Sequence, residues 1–230
     1  MASGPGLVIL TGAGVSAESG VPTFRSSDGL WEGHRIEDVA TPEAFARHPA
    51  RVHDFYNARR RQLTTVTPNA AHIALAHLAA RWDGDFLLVT QNVDDLHDRA
   101  LAGVTPRPGF ELIHMHGELL KARCTRTRRI EACVGDLDAQ GTLRPHIVWF
   151  GEMPFEMERI ERALEQCDLF AAIGTSGSVY PAAGFVRIAR SAGARTVEIN
   201  LEPGLGADLF DEGIYGPATT TVPAFLDALG

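Results

Sequence analysis

The chain has 230 residues, 45% of them hydrophobic and 22% charged, the makeup of a soluble globular protein that can bury a full core without disulfide staples. Its 21 lysines and arginines against 29 aspartates and glutamates leave a net charge of −8, which argues against nucleic acid as the main ligand. Three cysteines cannot complete a disulfide framework, and the apolar run at residues 7–10 is far too short for a signal peptide or a membrane span. A reducing, cytoplasmic setting with no membrane partner is therefore expected.

Short apolar runs at 7–11, 85–92, 111–117, 169–176 and 196–202 read as buried strands. Helical stretches lie between them at 42–62, 69–81, 153–167 and 182–192, the first with Thr41 as N-cap and Pro42 at the first helical position. Strands alternating with helices predict an α/β fold with a parallel sheet covered by helices on both faces. Two stretches break the rhythm: a long insertion after the first strand–helix turn, and the polar segment 118–148, which carries two of the cysteines. The expected organisation is one nucleotide-binding unit formed by about 1–24, 69–117 and 149–230, with a small second domain built from insertions at about 25–68 and 118–148.

The first strand runs straight into Gly12-Ala13-Gly14-Val15-Ser16-Ala17, the G-x-G-x-x-A form of a dinucleotide fingerprint. In that pattern the first glycine makes a tight turn and the second lets backbone approach a pyrophosphate. A small third residue lets helix pack on strand, and the helix N-terminus holds the anion. A tight strand–helix turn alone would also explain it. The usual acidic residue at the end of a second strand is missing, because Pro22-Thr23-Phe24-Arg25 reads as a loop. Asn200 and Glu202, at the end of a later strand, are candidates for the ribose, and Glu202 reads equally well as a solvated strand-end carboxylate. Gln91-Asn92-Val93-Asp94, His116-Gly117 and Gly174-Thr175-Ser176 each follow an apolar run. Ligands in open α/β sheets sit beyond the carboxyl ends of the strands, so these clusters are expected to converge on one crevice. Each could alone be turn chemistry. Of nine histidines, His116 is the best candidate for a general base, since an imidazole at a strand end titrates near neutral pH. His72, His77 and His97 read as surface or packing residues.

Six blocks in order, GAGVSAESGVPTFR, TQNVDDLH, HMHGEL, RPHIVWFGE, GTSGSVYPAAGF and EINLEP, resemble the sirtuin family of NAD-dependent protein lysine deacylases. FYNARRRQL makes the chain look like the bacterial CobB-type subgroup, similar to sirtuin-5-like enzymes. The resemblance implies a large Rossmann-like domain with a small one. It implies that Gly12, Ala13, Gly14, Ser16, Ala17 and Glu18 form the NAD phosphate loop, with Phe24, Arg25 and Trp31 in the flexible cofactor loop. Gln91, Asn92, Val93 and Asp94 would line the ribose and nicotinamide pocket. Gly174, Thr175, Ser176, Asn200, Leu201, Glu202 and Ala218 would contact adenosine. His116 would act as base and Asn92 would position the reacting ribose. Val148, Phe150, Gly151 and Glu152 would form the peptide-binding strand for acylated lysines of protein substrates. Tyr56 and Arg59, one helical turn apart, match the acyl-pocket pair of the desuccinylase subgroup, although the run Arg59-Arg60-Arg61 also reads as a surface helix, with two of the three solvated. The implied reaction passes the acyl group to ADP-ribose and releases nicotinamide. Mono-ADP-ribosyl transfer and a non-catalytic NAD or ADP-ribose sensor are the rival readings. The family usually carries four zinc cysteines in two close pairs. Here only Cys124 and Cys133 fall in that region, so no zinc is expected.

Overall fold

The computed structural model describes residues 4–23, 30–31, 33–138 and 141–229. The chain enters through β1 (Gly4–Thr11), then forms the short hairpin β2 (Leu30–Trp31) and β3 (His34–Arg35) and the helices α1 (Ile36–Val39), α2 (Pro42–Arg47), α3 (Pro49–Leu63) and α4 (Ala70–Arg81). β4 (Gly84–Thr90), α5 (Leu96–Leu101) and β5 (Phe110–His114) follow, then β6 (Gly117–Cys124), β7 (Ile130–Ala132) and β8 (Leu143–Ile147). The remainder is α6 (Met157–Leu164), β9 (Leu169–Ile173), α7 (Phe185–Ser191), β10 (Arg195–Asn200), β11 (Glu212–Tyr215) and α8 (Ala218–Asp227).

Six strands form one parallel sheet in the order β11-β10-β9-β1-β4-β5. The chain leaves β1 toward β4 and β5, then returns to the other side of β1 as β9. That makes the carboxyl ends of β1 and β9 the point where the winding reverses, the usual place for a crevice in such sheets. Leu7 and Ile9 pack with α4 and α8 on one face, while Val8 and Leu10 pack with α6 and α7 on the other. Burial on both faces is why the inner strands β1, β4 and β9 are continuous apolar runs rather than alternating ones, while the edge strand β11 is mostly exposed and has no such run. β7, β6 and β8 form a separate antiparallel sheet from the second irregular segment. A third core cluster, with Val52, Phe55, Tyr56, Leu119, Ile147 and Trp149, joins α3 to it.

The expected helices exist but differ in extent. Thr41 Oγ1 accepts the Ala44 N–H at 3.1 Å, the N-cap expected of it. The expected single helix 42–62 breaks at His48 (φ −141°, ψ 63°), because Pro49 crowds the residue before it out of the helical region. The helix expected from 153 starts only at Met157, after Glu156 at φ 56°. The expected strand 111–117 is two strands with a turn at Met115-His116 between them. Gly117 starts the second at φ 85°, and a Cβ there would stand 2.1 Å from the His146 carbonyl oxygen, so only glycine makes this corner. Phe24 and Arg25 lie outside the described residues, and Trp31 is described only as a residue of β2. Among the described residues, no helix is long and apolar enough to cross a membrane.

Candidate active site

β1 ends in Thr11, and the Gly12-Ala13-Gly14 turn crosses over the end of β9: Gly12 N–H donates to Ile173 O and Gly14 N–H to Gly174 O, both at 2.9 Å. A Cβ on Gly14 would stand 2.7 Å from Gly174 Cα. The second glycine is thus required by contact between two loops of the chain, a demand the fingerprint had assigned to a pyrophosphate. No α-helix follows, in contrast to the expectation. Residues 13–15 and 17–19 form two 3-10 turns, and Ala17 is exposed rather than packed between helix and strand. Glu18 is occupied by the fold, accepting from Thr219 N at 2.9 Å and Thr219 Oγ1 at 2.7 Å, which ties the loop to the first turn of α8 beside Ala218.

Beneath the loop lies a buried polar group that the sequence did not announce. Ser16 Oγ donates to Asp94 Oδ2 at 3.0 Å and accepts from Asn92 Nδ2 at 3.0 Å. His72 Nε2 is 3.3 Å away. Nδ1 of His72 lies 3.3 Å from Asn69 N and 3.1 Å from Asn69 Oδ1 in the capping box of α4. Leu96 N–H donates to the other Asp94 oxygen at 3.1 Å. Thr11 Oγ1 and His97 Nε2 are 3.0 Å apart, with the His97 ring 4.8 Å from that of His72. Burial lowers His72 to about 4 and pushes His97 well below the ordinary imidazole value, so both are neutral. The same burial pushes the Asp94 carboxyl up. His72 and His97 are therefore part of the site's floor; their spacing on two separate helices hid this from the sequence.

His116 occupies the β5–β6 turn beside this floor. Its Nδ1 lies 3.1 Å from the Gln91 carbonyl oxygen, which calls for a proton on Nδ1 and leaves Nε2 as the basic nitrogen. Burial lowers its pKa, against a smaller upward pull from that carbonyl, so the imidazole is neutral at pH 7. The His116 carbonyl accepts Val148 N–H at 2.9 Å. β8 ends at Ile147, so residues 148–152 are not a strand, as had been expected, but an extended segment and turn. Phe150 N–H is bonded to Ala40 O at 3.0 Å, and Gly151 sits at φ 90°.

Glu152 faces inward as a brace. It accepts from Arg144 at 2.7 and 2.8 Å and from Trp149 N–H at 2.9 Å, with Arg123 3.6 Å away. Burial would raise its pKa, but Arg144 holds it below the usual carboxylate range. Trp149 lies between the Arg144 guanidinium, 3.4 Å from its ring centre, and Tyr56, whose hydroxyl accepts Trp149 Nε1–H at 3.0 Å. Tyr56 is fully buried, and burial pushes its phenol far up. Arg59 is buried on the same face of α3. It donates to Phe55 O at 2.6 Å, and its guanidinium lies 3.2 Å over the Phe55 ring. The expectation that two of the three arginines are solvated is corrected: Arg60 is buried, donating to Leu119 O at 2.8 Å and Asn57 Oδ1 at 2.7 Å, and only Arg61 is exposed, paired with Asp136.

At the far end, Asn200 Nδ2 donates to Thr175 O at 2.8 Å and holds the Gly174-Thr175-Ser176 loop against β10. Glu202 is exposed and Leu201 is 70% exposed. The buried acid of this strand is Glu198, accepting Gly204 N–H at 3.1 Å and Tyr215 Oη–H at 3.0 Å. An acidic residue inside an apolar run was the signal for it.

The cysteines do not compose a closed tetrahedral set. Cys124 Sγ lies 3.8 Å from Thr142 Oγ1, Cys133 Sγ is bonded to Gly135 O and Cys167 is buried against Leu164 O. Among the described residues no group of three candidate metal ligands includes a cysteine, whereas structural zinc wants four sulfur or nitrogen ligands.

With this geometry established, residues 12–181 match the model of the Sir2 family. The chain belongs to the Sir2 family. It is 55% identical over 231 residues to an NAD-dependent protein deacylase of Pasteurella multocida, covering 96% of both chains. The fold of this Sir2 protein superposes on a solved Sir2 homologue–NAD complex with a TM-score of 0.85 at 37% identity, covering 97% of this chain and 88% of that one. A solved Sir2–p53 peptide–NAD+ complex is similar at a TM-score of 0.76 and 26% identity, covering 97% of this chain and 91% of that one.

Proposed function

We propose that this Sir2 protein is an NAD-dependent protein lysine deacylase that moves the acyl group of a modified lysine to ADP-ribose, with release of nicotinamide. The observation that carries it is His116: Nδ1 committed to the Gln91 carbonyl and Nε2 left basic in a neutral, half-buried ring. In this reading His116 takes the proton from a ribose hydroxyl, Asn92 positions that ribose, and Asp94 with Ser16 keeps Asn92 fixed. Gly12, Ala13, Gly14 and Ala17 approach the phosphates, while Gly174, Thr175, Ser176, Asn200 and Leu201 border the adenosine. Phe24, Arg25, Trp31, Gln91, Val93, Glu202 and Ala218 complete the cofactor set. Val148, Phe150 and Gly151 receive the substrate backbone, and Glu152 supports them. The division into a large unit and a small one, with the crevice between them, and a cytoplasmic setting belong to the same reading.

Succinyl- and malonyl-lysine are the proposed preferred substrates, with acetyl-lysine also accepted. Tyr56 and Arg59 share one buried face of α3, and Tyr56 touches Trp149 between the two proposed substrate contacts Val148 and Phe150. A charge-assisted hydrogen bond contributes roughly 1.5–3 kcal/mol, or about tenfold to a hundredfold in rate at about 1.4 kcal/mol per decade. The test is mass spectrometry of succinyl-, malonyl- and acetyl-lysine peptides with and without NAD, on the wild type and Arg59→Met. Desuccinylation is expected to fall by that factor in the variant while deacetylation persists. Equal losses on all peptides would give Arg59 a packing role instead, and a product carrying ADP-ribose on the protein would favour the transferase reading.

A further inference from the structure

Asp98 on α5, His114 at the end of β5 and Glu118 near the start of β6 each bring one ligand atom to a common point, all within 4.8 Å of one another. His114 is the anchor: its side chain is 9% exposed and its Nε2 lies 3.0 Å from Asp98 Oδ2. Its Nδ1 is buried with no hydrogen-bond partner among the described residues, and its backbone, two residues before His116, pairs in register with Thr90 of β4. The two carboxylates come from different elements, so the three donors are spaced by the sheet and not by one flexible loop. Asp98, 45% exposed, opens the group to solvent. Lys121, 43% exposed, now sits on Glu118 at 2.5 Å and is long enough to swing away.

We propose that Asp98, His114 and Glu118 form an open site for a divalent transition metal ion, placed at the end of β5 two residues before His116. Two carboxylates and an imidazole balance a divalent charge, and the nitrogen donor selects zinc, cobalt, nickel or manganese over magnesium. The site is separate from Cys124 and Cys133 and from the residues assigned to NAD and acyl-lysine. Filling it fixes the end of β5 that leads into His116 and slows deacylation.

The probe is Co2+ added to the chelator-treated full chain, followed by absorption and calorimetry. One ion per chain is expected, with no sulfur-to-cobalt charge-transfer band. Asp98→Asn and Glu118→Gln, both at solvent-accessible side chains that the fold tolerates, are each expected to weaken binding by about tenfold or more. The double variant Cys124→Ser/Cys133→Ser is expected to bind as the wild type does. No stoichiometric binding, binding untouched by both carboxylate variants, or binding lost with the cysteines overturns the site. The link to His116 has its own readout: Zn2+ slows deacylation by the wild type at concentrations that leave Glu118→Gln unaffected, and a rate unchanged at full occupancy overturns it.

Discussion

The floor beneath the loop at the end of β1 and the brace behind residues 148–152 are both buried polar constructions, and they solve burial differently. The floor is made of short side chains gathered around the buried Asp94 carboxyl. Ser16, Asn92, Asp94 and His72 satisfy one another within a few bonds, and burial keeps both histidines uncharged. The brace carries full charges, with Glu152 facing Arg144 and Arg123 and an arginine lying over Trp149. A short-range network whose atoms are all paired costs little to bury, whereas one built on ion pairs depends on every partner staying in place.

His116 belongs to both regions, bonded to Gln91 on one side and to Val148 on the other, so it tests them together. His116→Ala is expected to lose about a hundredfold to ten-thousandfold in turnover, the usual worth of a general base, with its melting temperature and NAD binding largely kept. Near-full activity by a peptide assay would remove the base from the scheme. Glu152→Gln should strike the brace alone. It leaves Arg144 and Arg123 without their carboxylate, and, since Glu152 is about a quarter exposed, a loss of about 2–3 kcal/mol in urea unfolding is expected, below the full cost of breaking a buried pair. A neutral result would show that the tryptophan and the backbone hold the segment without the charge.

Acid separates the two regions by pH window, since both lose stability as pH falls but over different ranges. His72 has a folded pKa of about 4 against an ordinary value of 6.5, so the unfolded chain binds its proton first. The stability it supports is full above pH 6.5 and declines as pH falls from about 6.5 toward about 4. At pH 5 that loss is about 2 kcal/mol, taking 1.36 kcal/mol per pH unit, measurable by urea melts at pH 7 and 5. Glu152 stays ionised there, because Arg144 holds its pKa down, so a Glu152→Gln chain should show the same acid slope as the wild type. The smallest expected effect is that of a chelator. A structural zinc contributes roughly 10 kcal/mol or more to folding, and with Cys124 and Cys133 in separate local bonds, EDTA is expected to leave the melting temperature unchanged. A melting temperature that falls with EDTA, and does so in the wild type but not in Cys124→Ser/Cys133→Ser, would reverse that.

The apolar runs determined the main sheet, because a strand buried on both faces has to be apolar throughout, and Leu7 to Leu10 shows this directly in the split of its side chains between two cores. The loops that follow those runs placed Asn92, His116, Gly174 and Asn200 at strand ends, where the sheet gathers them. Thr41 announced its helix because capping is a local bond between near neighbours. The sequence could not assign the partners of side chains brought together from distant segments. Ser16 meets residues 56 and 76–78 positions away, Arg60 turns inward because Leu119 offers it a carbonyl, and Gly14 is needed where Gly174 passes. Each of those choices depends on which surfaces are in contact once the chain has closed, and hydrogen bonding and exclusion of water act on that contact rather than on position along the chain.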